Sequence, residues 1–170
     1  DYDDLVLLTR DLLSRSDAAA WVLYKLDEGL DHVLVDEAQD TNPDQWAVIA
    51  ALVSEFFTGE GARQINRTMF AVGDVKQSIY GFQRADPANF VTWQARFGQT
   101  VLDVDRLWRP VNLAVSFRST QAVLDVVDDV FGSEATRNGL VFGEGEVKHF
   151  SHRNGQAGRV ELWPALQPPE

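Results

Sequence analysis

Residues 32–42 read His-Val-Leu-Val-Asp-Glu-Ala-Gln-Asp-Thr-Asn. An apolar run, His32 to Val35, ends abruptly in the carboxylates Asp36 and Glu37. The run does not alternate apolar with polar, which is the pattern of a strand buried on both faces in a parallel sheet. Ligands of open parallel sheets bind beyond the carboxyl ends of the strands. Acids placed there can hold Mg2+, a hard cation that prefers oxygen. A second carboxylate beside the first can orient or deprotonate an attacking water. A second run, Met69-Phe70-Ala71-Val72, likewise ends in Gly73-Asp74. An Asp-Glu pair after a strand is also often only a solvated turn, so the pair alone leaves both readings open.

Outward from this stretch, strands alternate with helices. Asn42 is a good helix N-cap, Pro43 suits the first helical position, and Gln45 sits where a capping box places Glu or Gln. Trp46, Ile49, Ala50, Val53, Phe56 and Phe57 then share one apolar face, and Gly59-Glu60-Gly61 ends the helix before a polar loop over 60–67. Upstream, Leu5, Leu8, Leu12 and Leu13 recur at helical spacing, so 3–30 reads mostly helical, with a second apolar helix over 18–26. Downstream, Asp86-Pro87 opens a helix with Phe90, Trp93 and Phe97 on its inner face. Val101–Val104 and Leu113–Phe117 are strand candidates. Ser119 caps a helix over 120–131 with Val123, Val126, Val127 and Val130 inward. Residues 132–158 read as loops or a hairpin, and Val160–Trp163 alternates like a strand. The class is α/β with a mostly parallel sheet.

The chain has 170 residues, 45% hydrophobic and 24% charged, the composition of a folded globular protein rather than a disordered one. That length fits one domain or one domain and part of another. The longest apolar run, Trp46 to Val53, is far shorter than the roughly 20 residues of a membrane span, and the start Asp-Tyr-Asp-Asp lacks the basic opening of a secretory signal. There is no cysteine, which removes disulfides, zinc–cysteine sites and iron–sulfur clusters from this chain. All of this suits the cytoplasm and no membrane partner. The net charge of −11 argues against a stand-alone nucleic-acid binder, which needs a basic patch to neutralise phosphates.

Three segments carry a resemblance. Val33-Leu34-Val35-Asp36-Glu37-Ala38-Gln39-Asp40-Thr41-Asn42 resembles motif II of the superfamily-1A, UvrD/Rep-type ATP-dependent DNA helicases. Residues 72–82, Val-Gly-Asp-Val-Lys-Gln-Ser-Ile-Tyr-Gly-Phe, resemble their motif III, and Phe117-Arg118-Ser119-Thr120 resembles their motif IV. The opening Asp1-Tyr2-Asp3-Asp4-Leu5 is similar to the segment preceding motif II. The order and spacing are those of the family, over residues 1 to about 131. Lys76, Ala85-Asp86-Pro87 and the wording around Phe117 look closer to the AddA group than to UvrD. The AddA group are helicase–nuclease proteins that repair double-strand breaks with AddB.

The resemblance implies a partial P-loop NTPase. Residues 1–110 would be the later part of a first RecA-like domain, three-layered with helices flanking a parallel sheet, and 111–170 the start of a second. It implies Mg2+ and ATP as cofactors, and single-stranded DNA and an AddB-like protein as partners. Asp36 would coordinate Mg2+ and Glu37 would activate water. Gln39, Asp40 and Asp74 would couple the nucleotide site to DNA, though Gln39 and Asp40 also suit a capped helix entry. Gln77 would sense the γ-phosphate, an amide being able to bond both phosphate and water; otherwise it is a turn residue bonded to backbone. Arg118 would reach the γ-phosphate from the second domain with its planar fork; a lone Arg is more commonly a surface ion pair. Tyr80 and Phe82 would stack on bases, which tolerates any sequence and needs little positive charge; otherwise both are core.

There are departures. Relatives often show Arg-Gly after the aromatic of motif III, where this chain has Gln83-Arg84. No G-x-x-x-x-G-K-[ST] loop occurs in the sequence, nor do the later helicase motifs or a nuclease motif. The chain is expected to be part of a larger protein and, alone, to be inactive, since tight ATP binding needs the loop's amides and lysine. Two other readings compete. A helicase-like interaction module that lost its loop and binds protein or DNA would be supported by a natural start just before Asp1. A stand-alone metal-dependent nuclease or phosphatase built on Asp36, Glu37 and Asp74 would leave Gln77, Tyr80 and Arg118 unexplained.

Overall fold

Helix α1, Tyr2–Ser14, starts where the Asp1 carboxylate accepts the backbone N–H of Asp4, and it ends at the extended Arg15. Helix α2, Ser16–Asp27, follows directly. The computed structural model describes residues 1–27, 29–57, 66–137 and 147–165. The chain divides into two compact units, Asp1–Arg109 and Pro110–Glu170.

In the first unit, β1 (His32–Val35) pairs in parallel with β2 (Thr68–Ala71), His32 opposite Thr68 and Val35 opposite Ala71. The pairing runs past the strand ends: Val72 N–H donates to the Val35 carbonyl (2.9 Å) and Ala38 N–H to the Val72 carbonyl (3.0 Å). Between the strands, α3 (Pro43–Val53) opens on the capping box read from sequence: Asn42 accepts from Gln45 N–H while Gln45 accepts from Asn42 N–H, each at 3.0 Å. Helix α4, Pro87–Asp103, is capped by Asp86. These two helices form the core with one face of the sheet. Trp46, 1% exposed, lies 6.3, 6.1 and 6.3 Å from the rings of Phe90, Trp93 and Phe97. Each such aromatic pair contributes on the order of 0.5–1.5 kcal/mol beyond its buried area. Val33, Val35 and Met69 close the cluster from the sheet.

The other face differs from expectation. The strands are not buried on both sides, since Leu34 is 76% and Phe70 57% exposed. Alternate residues point to opposite faces, and among the described residues α3 and α4 cover only the Val33–Val35 side. The strand proposed for Val101–Val104 is the end of α4 and its C-cap residue, Val104. Val101 is buried and packs with Phe97 on the helical stripe, while Leu102 points outward. Phe56 and Phe57 are buried as expected but lie in a 3-10 turn, Ser54–Phe57, past the end of α3. The glycines proposed to end that helix and most of the polar loop fall outside the described residues.

In the second unit, β3 (Val115–Ser116) pairs in parallel with β4 (Phe150–Ser151). Helix α5, Gln121–Val130, lies between them in sequence, followed by the short α6, Glu134–Arg137. The described part of 132–158, read as loops or a hairpin, is loop apart from α6 and β4, and residues 138–146 lie outside the described residues. The α5 N-cap is Thr120 rather than Ser119. Leu124 is the buried residue of α5, whereas Val126 and Val130 are exposed at 39% and 54%, because the contacts of α5 run to β4 along its other face. The Gln121 side chain joins them, accepting from Ser151 N–H (2.9 Å) and donating to the His149 carbonyl (3.2 Å). Val160–Trp163 is not a strand, and Leu162 and Trp163 are 98% and 79% exposed. Alternation marks a strand only where a neighbour supplies ladder bonds, and none is present among the described residues.

Candidate functional site

The parallel register brings the ends of β1 and β2 side by side, so the turns that follow them, at 36–40 and 73–77, share one edge of the first unit. After Val35 the chain reverses sharply. Asp36 Oδ1 accepts the N–H of Glu37 at 2.9 Å, and Glu37 adopts the left-handed conformation, φ 48° and ψ 44°. For a residue with a Cβ this region costs roughly 1–2 kcal/mol. Strain of this kind persists where surrounding structure over-determines it, and such positions cluster at functional sites. The reversal leads into a 3-10 turn, Ala38–Asp40, whose Asp40 N–H donates to the Glu37 carbonyl at 2.9 Å. Both Asp36 and Glu37 are left exposed.

Gln39 is the opposite case, 1% exposed with every side-chain group used. Its Nε2 donates to Glu37 Oε2 (2.7 Å) and Asp40 Oδ2 (3.2 Å), and its Oε1 accepts the backbone N–H of Asp74 (2.9 Å). The close approach of the two turns needs Gly73. A Cβ there would lie 2.7 Å from Gln39 Oε1 and 3.1 Å from the backbone nitrogens of Ala38 and Gln39.

Asp74 in turn organises Gln77. It caps the turn Val75–Gln77, Oδ1 accepting from Lys76 N–H (3.0 Å) and Oδ2 from Gln77 Nε2 (3.1 Å), with Lys76 Nζ 3.2 Å away. Partial burial pushes the Asp74 carboxyl up, but the bonds from Gln77 and Lys76 and the nearby ammonium outweigh it and hold the group below the usual carboxylate range. Gln77 is thus bonded to a side chain, not to backbone alone. Asp40 Oδ1 reaches Ser78 Oγ and Ile79 N–H, both at 3.2 Å, so the same network continues into the segment carrying Tyr80 and Phe82. Those rings pair at 5.8 Å and are 40% and 79% exposed, so they are surface residues and not core.

The structure therefore links Glu37, Gln39, Asp40, Asp74 and Gln77 in one bonded set beside Asp36. Arg118 belongs to the second unit, is exposed, and its guanidinium makes no bond among the described residues. Sequence reading missed the role of Gly73, and that of Asp44, which takes Arg10 at 2.6 Å and Arg84 at 3.2 Å. The first was signalled by a glycine between a strand and an acid. The second carries no local signal.

The described residues contain no group of three or more His, Cys, Asp or Glu placed to hold a metal. Mg2+ does not require one, since it keeps several waters and takes one or two carboxylates with substrate phosphates. The exposed Asp36 carboxylate at a strand end fits that donor set.

The sequence profile of the UvrD/REP helicase N-terminal domain matches residues 1–98. Similar proteins include the AddA-type ATP-dependent helicase/nuclease of Latilactobacillus sakei, 37% identical over 77% of this chain and 13% of the relative. The protein of the same name from Enterococcus faecalis is 37% identical over 77% and 10%. The RecB protein of the RecBCD enzyme of Chlamydia pneumoniae is 32% identical over 76% and 11%. The chain spans between 10% and 13% of the length of these relatives. Among the described residues, no helix is long and apolar enough to cross a membrane. The matched residues include both strand ends and the whole Gln39–Asp74 network, and the chain belongs to the UvrD/REP helicase N-terminal domain family.

Proposed function

We propose that this chain is the hydrolytic edge of an ATP-dependent DNA helicase that moves on single-stranded DNA in the repair of broken DNA. In this reading the first unit is the later part of one RecA-like domain and the second unit begins another. The phosphate-binding loop would come from sequence outside these residues, and an AddB-like protein would complete the assembly, in the cytoplasm. The observation that carries the reading is the buried Gln39 amide. It holds a strained, exposed Glu37 in place while touching the turns that position Gln77 and the aromatic segment.

Asp36 would hold Mg2+, which when bound neutralises phosphate charge and orients ATP. Glu37 accepts a proton from the attacking water, its carboxylate held by the Gln39 amide at 2.7 Å. Gln77, held by Asp74 through its amide nitrogen, keeps its amide oxygen for a water or phosphate ligand. Arg118 supplies positive charge where phosphate charge develops. Asp40 and Gln39 carry the state of this edge to Tyr80 and Phe82, whose exposed rings stack on bases.

The test is ATP hydrolysis stimulated by single-stranded DNA in the full-length protein that carries this chain, wild type beside Glu37→Gln. Stimulation, with a loss of about 100-fold or more in the variant, is the expected result. An inactive full-length protein, or a variant matching wild type, removes the motor reading in favour of an interaction module.

A further inference from the structure

The segment Ser116-Phe117-Arg118-Ser119 is held at every residue by Ser151-His152-Arg153 of the same unit. His152 N–H donates to the Ser116 carbonyl at 2.8 Å. The His152 ring meets the Phe117 ring at 4.9 Å. Arg153 Nη1 donates to the Arg118 carbonyl at 2.9 Å, and Ser151 Oγ donates to the Ser119 carbonyl at 2.7 Å. Arg153 is itself fixed, its Nε bonded to Gln156 Oε1 (2.7 Å) and its backbone N–H to Ser151 Oγ (2.9 Å). The Arg118 guanidinium makes no bond among the described residues, and it is exposed.

We infer that Arg153 is a positioning residue for Arg118, fixing the backbone from which that side chain projects. The inference rests on the reading of Arg118 as the phosphate-binding arginine. An arginine acting across a distance is only as accurate as the peptide that carries it. Holding its own carbonyl with a charged donor fixes that origin while leaving the side chain free. The Arg153 fork is suited to this because its planar nitrogens satisfy two acceptors, Gln156 and Arg118, at a set angle. An ammonium is a single point charge and cannot do the same.

The experiment measures kcat and KM for ATP in the full-length protein at saturating single-stranded DNA, for Arg118→Ala, Arg153→Ala, Arg153→Lys and the double alanine variant. Arg153→Ala is expected to lower kcat about 10-fold or more, since misplacing a catalytic group by about 1 Å costs up to about 100-fold. Its KM should stay within about threefold, the signature of an interaction needed in the transition state and not in binding. The double variant should be no slower than Arg118→Ala alone, because Arg153 acts through Arg118. Arg153→Lys should not restore kcat. Additive losses in the double variant, rescue by lysine, or wild-type kcat in Arg153→Ala overturns the inference. If Arg118→Ala itself retains wild-type kcat, the reading beneath it fails first. Should Arg153→Ala not fold, Gln156→Leu frees one arm of the fork. A lower kcat supports the positioning role, and an unchanged one overturns it.

Discussion

Gln39 Oε1 accepts the backbone N–H of Asp74 at 2.9 Å, across the gap between the carboxyl ends of β1 and β2. The two residues come from turns that the sequence separates widely, and Gln39 is buried to 1% exposure. An amide is the side chain that fits, because the site needs an acceptor toward Asp74 and a donor toward Glu37 and Asp40. Gln39→Glu keeps the shape and removes the donor. It faces a new carboxylate with Glu37 Oε2 and Asp40 Oδ2, now 2.7 and 3.2 Å from Gln39 Nε2. At neutral pH the variant should lose about 3–5 kcal/mol of stability, as an unpaired buried charge does. Gln39→Leu should lose less, about 1–3 kcal/mol, because the Asp74 N–H is left unsatisfied while the exposed Glu37 carboxylate can turn to water and Asp40 keeps Ser78 and Ile79. Urea unfolding of both variants checks this, and losses under about 0.5 kcal/mol, the range of an ordinary surface substitution, would show the network to be incidental.

Gly73 lets the two turns meet. An alanine Cβ would sit 2.7 Å from Gln39 Oε1 and 3.1 Å from two backbone nitrogens. The side chain could yield but the backbone of 38–39, tied to Val72, could not. Gly73→Ala should therefore cost about 1–3 kcal/mol, the usual penalty of overpacking. In a Gln39→Ala background the penalty should shrink without vanishing, because the nearest contact is gone and the backbone contacts remain. Equal penalties in both backgrounds would place the strain elsewhere.

What was legible in the sequence was whatever short-range pattern decides. The Asn42–Gln45 capping box, the Asp86-Pro87 helix start and the two parallel strand ends all appeared where local residues placed them. Errors arose where a distant partner decides. Val101–Val104 reads as a strand by composition, yet Val101 continues the Phe90, Trp93, Phe97 stripe of α4. Val126 and Val130 look inward on a wheel, but α5 meets β4 through Gln121 and Leu124. Of the site, the residue types were readable. The burial of Gln39 and the left-handed Glu37 were not, since both follow from the apposition of two turns that no local spacing reveals.

Arg84 stands where relatives often have glycine, and the structure gives the reason glycine suits: its φ is 64°. Arg84 accepts that conformation while its guanidinium pairs with Asp44 at 3.2 Å, with the side chain 57% exposed. Asp44 is only 14% exposed but already holds Arg10 at 2.6 Å, so losing the more exposed Arg84 arm should cost about 0–1 kcal/mol, whereas left-handed backbone costs a residue with a Cβ roughly 1–2 kcal/mol. Arg84→Gly should thus be as stable as wild type or slightly more so. Arg84→Ala, which keeps the strain and loses the pair, should be less stable than either. Thermal unfolding of the three proteins ranks them, and an alanine variant matching the glycine one contradicts the assignment of strain to this residue.

Asp74 gives the site a pH dependence whose sign can be worked out. Burial raises its carboxyl, but bonds from Gln77 and Lys76 prevail and the folded group lies below its ordinary value. A depressed carboxyl contributes stability that is fully present above the unfolded value, about 3.9 for Asp. That contribution is lost as pH falls through the lower, folded value. Stability from this group should therefore be flat from neutral pH to about 5 and decline only below about 4. Protonation should also release Gln77 Nε2, whose acceptor is Asp74 Oδ2. Asp74→Asn should lower stability at neutral pH and flatten the acid limb, since the amide loses the attraction to Lys76 and does not titrate. Urea midpoints of wild type and variant between pH 7 and 3 check this. Parallel curves, with the variant offset by the same amount at every pH, would mean that Asp74 shapes the turn without its charge contributing.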